Sequence, residues 1–207
     1  MTFTFPHDPH GDHITLFRNT KLTLNTGITI LVGCNGSGKT TLLRLIKKEC
    51  EQNEIPYLSF DNKIEGGAHA MSQAEFYGNI DGLLRLAWHS EGEQINECLC
   101  QMAIKLGNKV KSMHSGDTLF VLLDACDSGY SIDNLLGMKD FLHIVRDDAA
   151  KRGINAYIIV STNSYELVRN ETALNVSTFT TRRFKSYEAY YNFILKSRKY
   201  KDSHYAK

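Results

Sequence analysis

The apolar positions of this chain follow two rhythms. Short, mostly apolar runs, Ile28 to Val32, Ile55 to Phe60, Thr118 to Leu123 and Ala156 to Val160, have the length of strands. All four predict strands, and Thr118 to Leu123 and Ala156 to Val160 have the form of buried ones. Elsewhere apolar residues return every third or fourth position: Leu42, Leu45, Ile46 and Cys50; Phe76, Tyr77, Ile80, Leu83, Leu84, Ala87 and Trp88; Ile95, Cys98, Leu99, Met102, Ala103 and Leu106; Leu135, Met138, Phe141, Leu142, Val145 and Ala149. That spacing gathers each set on one side of a helix. Buried strands alternating with helices predict an α/β fold with a mostly parallel central sheet. Ahead of it, His13 to Phe17 and Lys21 to Leu24 alternate like a hairpin, so antiparallel strands are expected at the N-terminus, with Asn25-Thr26-Gly27 turning into the first buried strand. Ser131 to Arg152 reads as a crossover helix ended by Gly153, and Tyr165 to Asn170 as a short helix.

The junction between the first buried strand and the first helix carries the most specific chemistry. Gly33-Cys34-Asn35-Gly36-Ser37-Gly38-Lys39-Thr40 has the glycine spacing of a phosphate-binding P-loop, with the required strand before it and helix after it. Glycines let successive backbone amides turn inward as a nest for phosphate, and the helix directs its positive N-terminal end to the same place. Gly33, Asn35, Gly36, Ser37, Gly38, Lys39, Thr40 and Thr41 are therefore the expected nucleotide contacts. Lys39 would reach the β- and γ-phosphates, and Thr40 would offer its hydroxyl to Mg²⁺. Thr118 to Leu123 ends in Asp124, the form of a buried strand whose terminal carboxylate holds that Mg²⁺. Thr40 and Asp124 are thus the expected metal ligands, and ATP with Mg²⁺ the expected cofactors. Phe17 or an earlier aromatic could stack on adenine, but core is the safer reading.

Composition narrows the setting rather than the function. Lys plus Arg number 24 against 23 Asp plus Glu, so whole-chain charge argues for no polyanionic partner. The five cysteines are odd in number, scattered, and include Cys34 inside the phosphate loop, which suits a reducing compartment. No stretch reads as an export signal or a membrane span, and the expected location is cytoplasmic, without direct membrane insertion. His7, Asp8, His10, Asp12 and His13 crowd into seven residues, but Pro6, Pro9 and Gly11 favour a solvated leader over a metal site.

Charge becomes informative only locally. From Arg182 onward eight Lys or Arg stand against Glu188 and Asp202, with Tyr187, Tyr190, Tyr191, Ile194 and Leu195 interleaved at helical spacing. The aromatics read better as a docking face than as base-stacking platforms, and the basic end is a candidate nucleic-acid contact. The expected organisation is one ATP-binding domain over 1–181, with a small helical insert at about 70–112, followed by a basic helix or tail over 182–207.

Ser90-Glu91-Gly92-Glu93-Gln94 opens the helix that carries Ile95 to Leu106 and, by itself, reads as a capping box, Ser90 with Glu93. In context it reads further. GCNGSGKT, SEGEQ, LFVLLD and IIVSTNS come in the order and rough spacing of the ATP-binding cassette ATPases, a family the chain resembles over nearly its whole length. DSGYSIDN after Asp124's strand makes it most similar to the chromosome-maintenance and recombination-type heads and to small phage-borne cassette proteins. About fifty residues separate Lys39 from Ser90, too few for the coiled-coil arms of such heads, so the resemblance implies a bare head.

The resemblance also implies that two copies meet head to tail. The signature of one, here Ser90 and Gly92, would close on the γ-phosphate held by the other, giving an ATP-dependent homodimer. The family's water-polarising Glu falls at Ala125 and its switch His at Asn163. Asn can still donate a hydrogen bond to phosphate, whereas Ala cannot orient water. Asp127 is the substitute carboxylate to consider, which makes Asp124, Asp127 and Asn163 the expected catalytic set. Asp61, Asn62 and Gln73 are candidates for the Q-loop. These features predict an ATP-dependent switch with slow hydrolysis. The alternatives are a competent ATPase acting on nucleic acid, a transporter's motor subunit and, less well supported, a small-molecule kinase.

Overall fold

The order of strands in the central sheet decides what can meet at its rim. In a computed structural model that describes residues 1–11, 15–61 and 102–205, six strands form one sheet and two a separate hairpin. The described elements are β1 (Thr2–Thr4), β2 (Lys21–Thr23), β3 (Gly27–Val32), α1 (Lys39–Gln52), β4 (Tyr57–Asp61), helical residues 102–111 (α2), β5 (Thr118–Asp124), α3 (Ile132–Lys151), β6 (Asn155–Ser161), α4 (Tyr165–Val168), β7 (Thr172–Asn175), β8 (Thr180–Arg182) and α5 (Tyr187–Tyr205). The sheet runs β4-β5-β6-β3-β7-β8, parallel except for β8. β6 therefore lies between β3, which leads into the phosphate loop, and β5, which ends in Asp124.

Side chains leave the sheet alternately to two apolar layers. Ile30, Val32, Val121 and Leu123 pack with Leu135, Met138 and Leu142 of α3 and with Tyr190 and Phe193 of α5. Leu31, Phe120 and Leu122 pack on the other face with Leu42, Leu43 and Ile46 of α1 and with Phe3 and Leu22 of the hairpin. Each such side chain, fully buried, stabilises the fold by about 1.5–3 kcal/mol against exposure, which holds the strand ends in fixed register.

The hairpin differs from expectation. Thr2–Thr4 pairs antiparallel with Lys21–Thr23, and Phe3 and Leu22 face the core together, while the first two residues of the expected strand His13 to Phe17 lie outside the described residues. Leu16 and Phe17 are consecutive yet both buried, which strand alternation forbids. Their N–H groups both donate to the His7 carbonyl, at 2.9 and 3.1 Å, so this stretch is a loop folded back on the chain before it. Phe17 is fully buried, and Phe3 and Phe5 are nearly so, each in contact with other rings, so these aromatics are core. The leader's Asp8 accepts from the N–H groups of His10 and Gly11 in a local turn. β7 and β8 have no counterpart in the sequence reading: both are short, and β7 is a strand through its pairing with β3 on one side and β8 on the other.

α5 is no free tail. Tyr190 and Phe193 are buried, while Tyr187 and Tyr191 on its other face are exposed and ring-stacked on each other. Most of the expected helical insert, including Ser90 and Gly92, lies outside the described residues.

Candidate functional site

Where β3 ends, the chain makes a loop that only its glycines permit. Gly36 and Gly38 take φ of 76° and 96°, the left-handed region that side chains disfavour. Gly38 is hemmed in as well, because a Cβ there would lie 2.7 Å from Leu16 Cδ2. α1 starts directly afterwards with Gly38 as its N-cap, no side-chain cap and no acidic residue in its first turn. Its positive end is left for an external anion.

The loop borders a cavity of about 670 Å³, and the rims of β5 and β6 form the opposite wall. Asn35, Gly36, Gly38, Lys39, Thr40 and Thr41 line it from one side. Asp124, Asp127 and Asn163 line it from the other. The described residues expected at the site thus share one cavity, apart from Gly33 and Ser37, which pack against each other within the loop, a Cβ on Gly33 falling 2.3 Å from Ser37 Oγ. There the Ser37 hydroxyl is buried without a hydrogen-bond partner among the described residues.

Lys39 ties the two walls together. Its Nζ donates to the carbonyls of Gly33 at 2.7 Å and Cys34 at 3.3 Å, and to Asn163 Oδ1 at 2.9 Å. Asn163 is fixed in turn from both sides, since its N–H donates to Asp127 Oδ2 at 2.7 Å and its carbonyl accepts from the Tyr190 hydroxyl at 2.9 Å. Burial, and then the charge of Asp127, push the Tyr190 phenol up, so it stays a proton donor over the accessible pH range.

Beside them, the Ser161 hydroxyl donates to Asp124 Oδ1 and accepts from the Ala125 N–H at 3.0 Å. Ala125 has a φ of 52°, so the chain leaves β5 through a left-handed turn immediately after Asp124. Cys126 behind it is fully buried, and burial followed by the charges of Asp127, Asp124 and Asp61 pushes its thiol well up. It is an inert core thiol.

Three participants went unassigned in the sequence. Ser161 is a hydroxyl whose role exists only because β6 lies beside β5. Leu16 and His10 line the cavity from the N-terminal loop, with His10 Nε2 at 3.4 Å from Thr41 Oγ1. By sequence alone His10 belongs to the leader, because no local pattern connects it to Thr41, thirty-one residues later. Among the described residues no group of three His, Cys, Asp or Glu could hold a metal by itself, and no helix is long and apolar enough to cross a membrane.

A glycine-built loop between a central strand and a helix, facing a carboxylate at the end of a strand once removed in a mostly parallel sheet, defines the P-loop NTPase fold, and the chain has that fold. Residues 11–48 match the family model described as an AAA domain, so the segment from the N-terminal loop through most of α1 is similar to the corresponding part of an AAA-type P-loop ATPase. No curated protein matches the chain.

Proposed function

We propose that this protein binds ATP with Mg²⁺ in the cavity under the phosphate loop and acts as a nucleotide-dependent switch that hydrolyses slowly. The observation that carries the reading is the convergence on one cavity of Lys39, the uncapped start of α1, Thr40, Asp124 and Asn163. The donor set fits the cofactors. Backbone amides and one ammonium suit phosphate oxygens, and a hydroxyl with a carboxylate suits a hard cation such as Mg²⁺. Thr40 and Asp124 would hold the cation, which on binding would neutralise phosphate charge. Lys39 would exchange its carbonyl partners for phosphate oxygens, and Asn163 would stay against it. Slow hydrolysis follows from Ala125, which has no group to orient water.

A second reading rests on Asp127. Its carboxylate lines the same cavity and is held by the Asn163 N–H, so it is a positioned group in a chain that lacks the usual one. In that reading the protein is a competent ATPase. For either reading, titration calorimetry with Mg²⁺ and ATP should give Lys39→Ala an affinity at least about tenfold weaker, the scale of one charge-assisted contact. Equal affinity for the two proteins would end the nucleotide assignment.

A further inference from the structure

α5 touches the phosphate loop through one face. Tyr190, Ser197 and Lys201 are spaced seven and four residues apart, which at 3.6 residues per turn puts all three on a single stripe. Each makes a hydrogen bond to the site's backbone. Tyr190 donates to the Asn163 carbonyl, Ser197 Oγ accepts the Cys34 N–H at 3.1 Å, and Lys201 Nζ donates to the Asn35 carbonyl at 3.2 Å. A Cβ on Gly36 would lie 3.7 Å from Lys201 Nζ, so the ammonium rests on the crest of the loop. Tyr200 extends the docking, its ring lying 3.6 Å from the Arg18 guanidinium.

We propose that Lys201 is a second phosphate-binding cation of the nucleotide site, delivered to the phosphate loop by α5. The inference rests on the ATP reading above. A second cavity, of about 400 Å³, lies between α5 and the loop, with Arg198 and Lys201 among its lining. It shares Asn35 and Asn163 with the cavity that Lys39 faces, so the two spaces meet across that pair. An ammonium has three donors and a four-carbon stem. Lys201 uses one donor on the Asn35 carbonyl, and among the described residues Asp202 is the carboxylate paired with it, at 3.7 Å. With its side chain only 29% exposed, its charge is little screened by water. A triphosphate carries more negative charge than one lysine and one divalent cation compensate, and the excess is largest at the terminal phosphate. Lys201 therefore distinguishes ATP from ADP, while Asp202 competes with phosphate for it.

Calorimetry on the full chain tests this with Mg-ATP and Mg-ADP. Lys201→Gln should weaken ATP about tenfold and ADP less than about twofold, and Lys201→Arg should keep most of the ATP affinity. Asp202 also faces Arg198, at 3.8 Å, so the test is made in an Arg198→Gln background: there Asp202→Asn should tighten ATP about twofold and have no effect once Lys201→Gln is added. A brace that merely holds α5 to the loop predicts equal losses for the two nucleotides and no response to Asp202→Asn, and either result would overturn the proposal. Lys39→Ala separates the two levels. If it abolishes ATP binding while Lys201→Gln leaves the ATP to ADP preference unchanged, only the role of Lys201 falls; if it has no effect, the nucleotide site itself is wrong.

Discussion

Ala125 concentrates the question of turnover in one residue. Its left-handed backbone is anchored by the Ser161 hydroxyl, and its side chain ends at Cβ, where a carboxylate would otherwise align water. The strain of that backbone comes from Cβ itself, so a longer side chain adds little to it. Ala125→Glu is expected to raise phosphate release at least about tenfold without tightening ATP, since an aligned base acts on the transition state. Asp127→Asn separates the two readings of function. Abolition of a fast native rate would make Asp127 the working carboxylate; a slow native rate left unchanged would support the switch. A fast native enzyme indifferent to both substitutions would defeat both. The phosphate loop and Asp124 were legible because each is written in contiguous residues. Ser161 and His10 were not, because a hydroxyl or an imidazole becomes part of a site only when a distant segment is placed against it.

At the level of elements, the strands buried on both faces announced themselves as apolar runs, and α1 and α3 as stripes. β7 and β8 did not, because Thr172–Asn175 and Thr180–Arg182 take their strand character from pairing with neighbours rather than from composition. α5 was legible as a basic amphipathic helix, but its contact with the phosphate loop was not. That contact changes how the nucleic-acid reading has to be tested. Deleting the chain after Thr181 would remove Phe184, Tyr190 and Phe193 from the core, and loss of binding would then report unfolding. Arg183 and Lys199 are exposed. If α5 binds nucleic acid, reversing both to Glu should lower affinity for an oligonucleotide by about tenfold or more at low salt and flatten its salt dependence, because fewer counterions are released. Unchanged binding and slope would dismiss the idea.

For the molecule as a whole, the resemblance implies a dimeric form of the proposed switch, in which the signature segment of one head would lie on the nucleotide of the other. Light scattering with Mg²⁺ and a non-hydrolysable ATP analogue is expected to show a dimer that ADP does not support and that Ser90→Arg disrupts. A monomer under all these conditions would leave ATP binding intact but remove the dimer. The sheet order carries a different consequence, for the chain while it is being made. β3, which leads into the phosphate loop, sits between β6 and β7, neither of which begins before Asn155. Parallel neighbours cannot be supplied by a local turn, so β3 waits for them with both edges bare. A nascent chain stalled before Asn155 presents Ile28 to Val32 unpaired to solvent or to a chaperone, and the serine that clasps Cys34 is translated 163 residues after it.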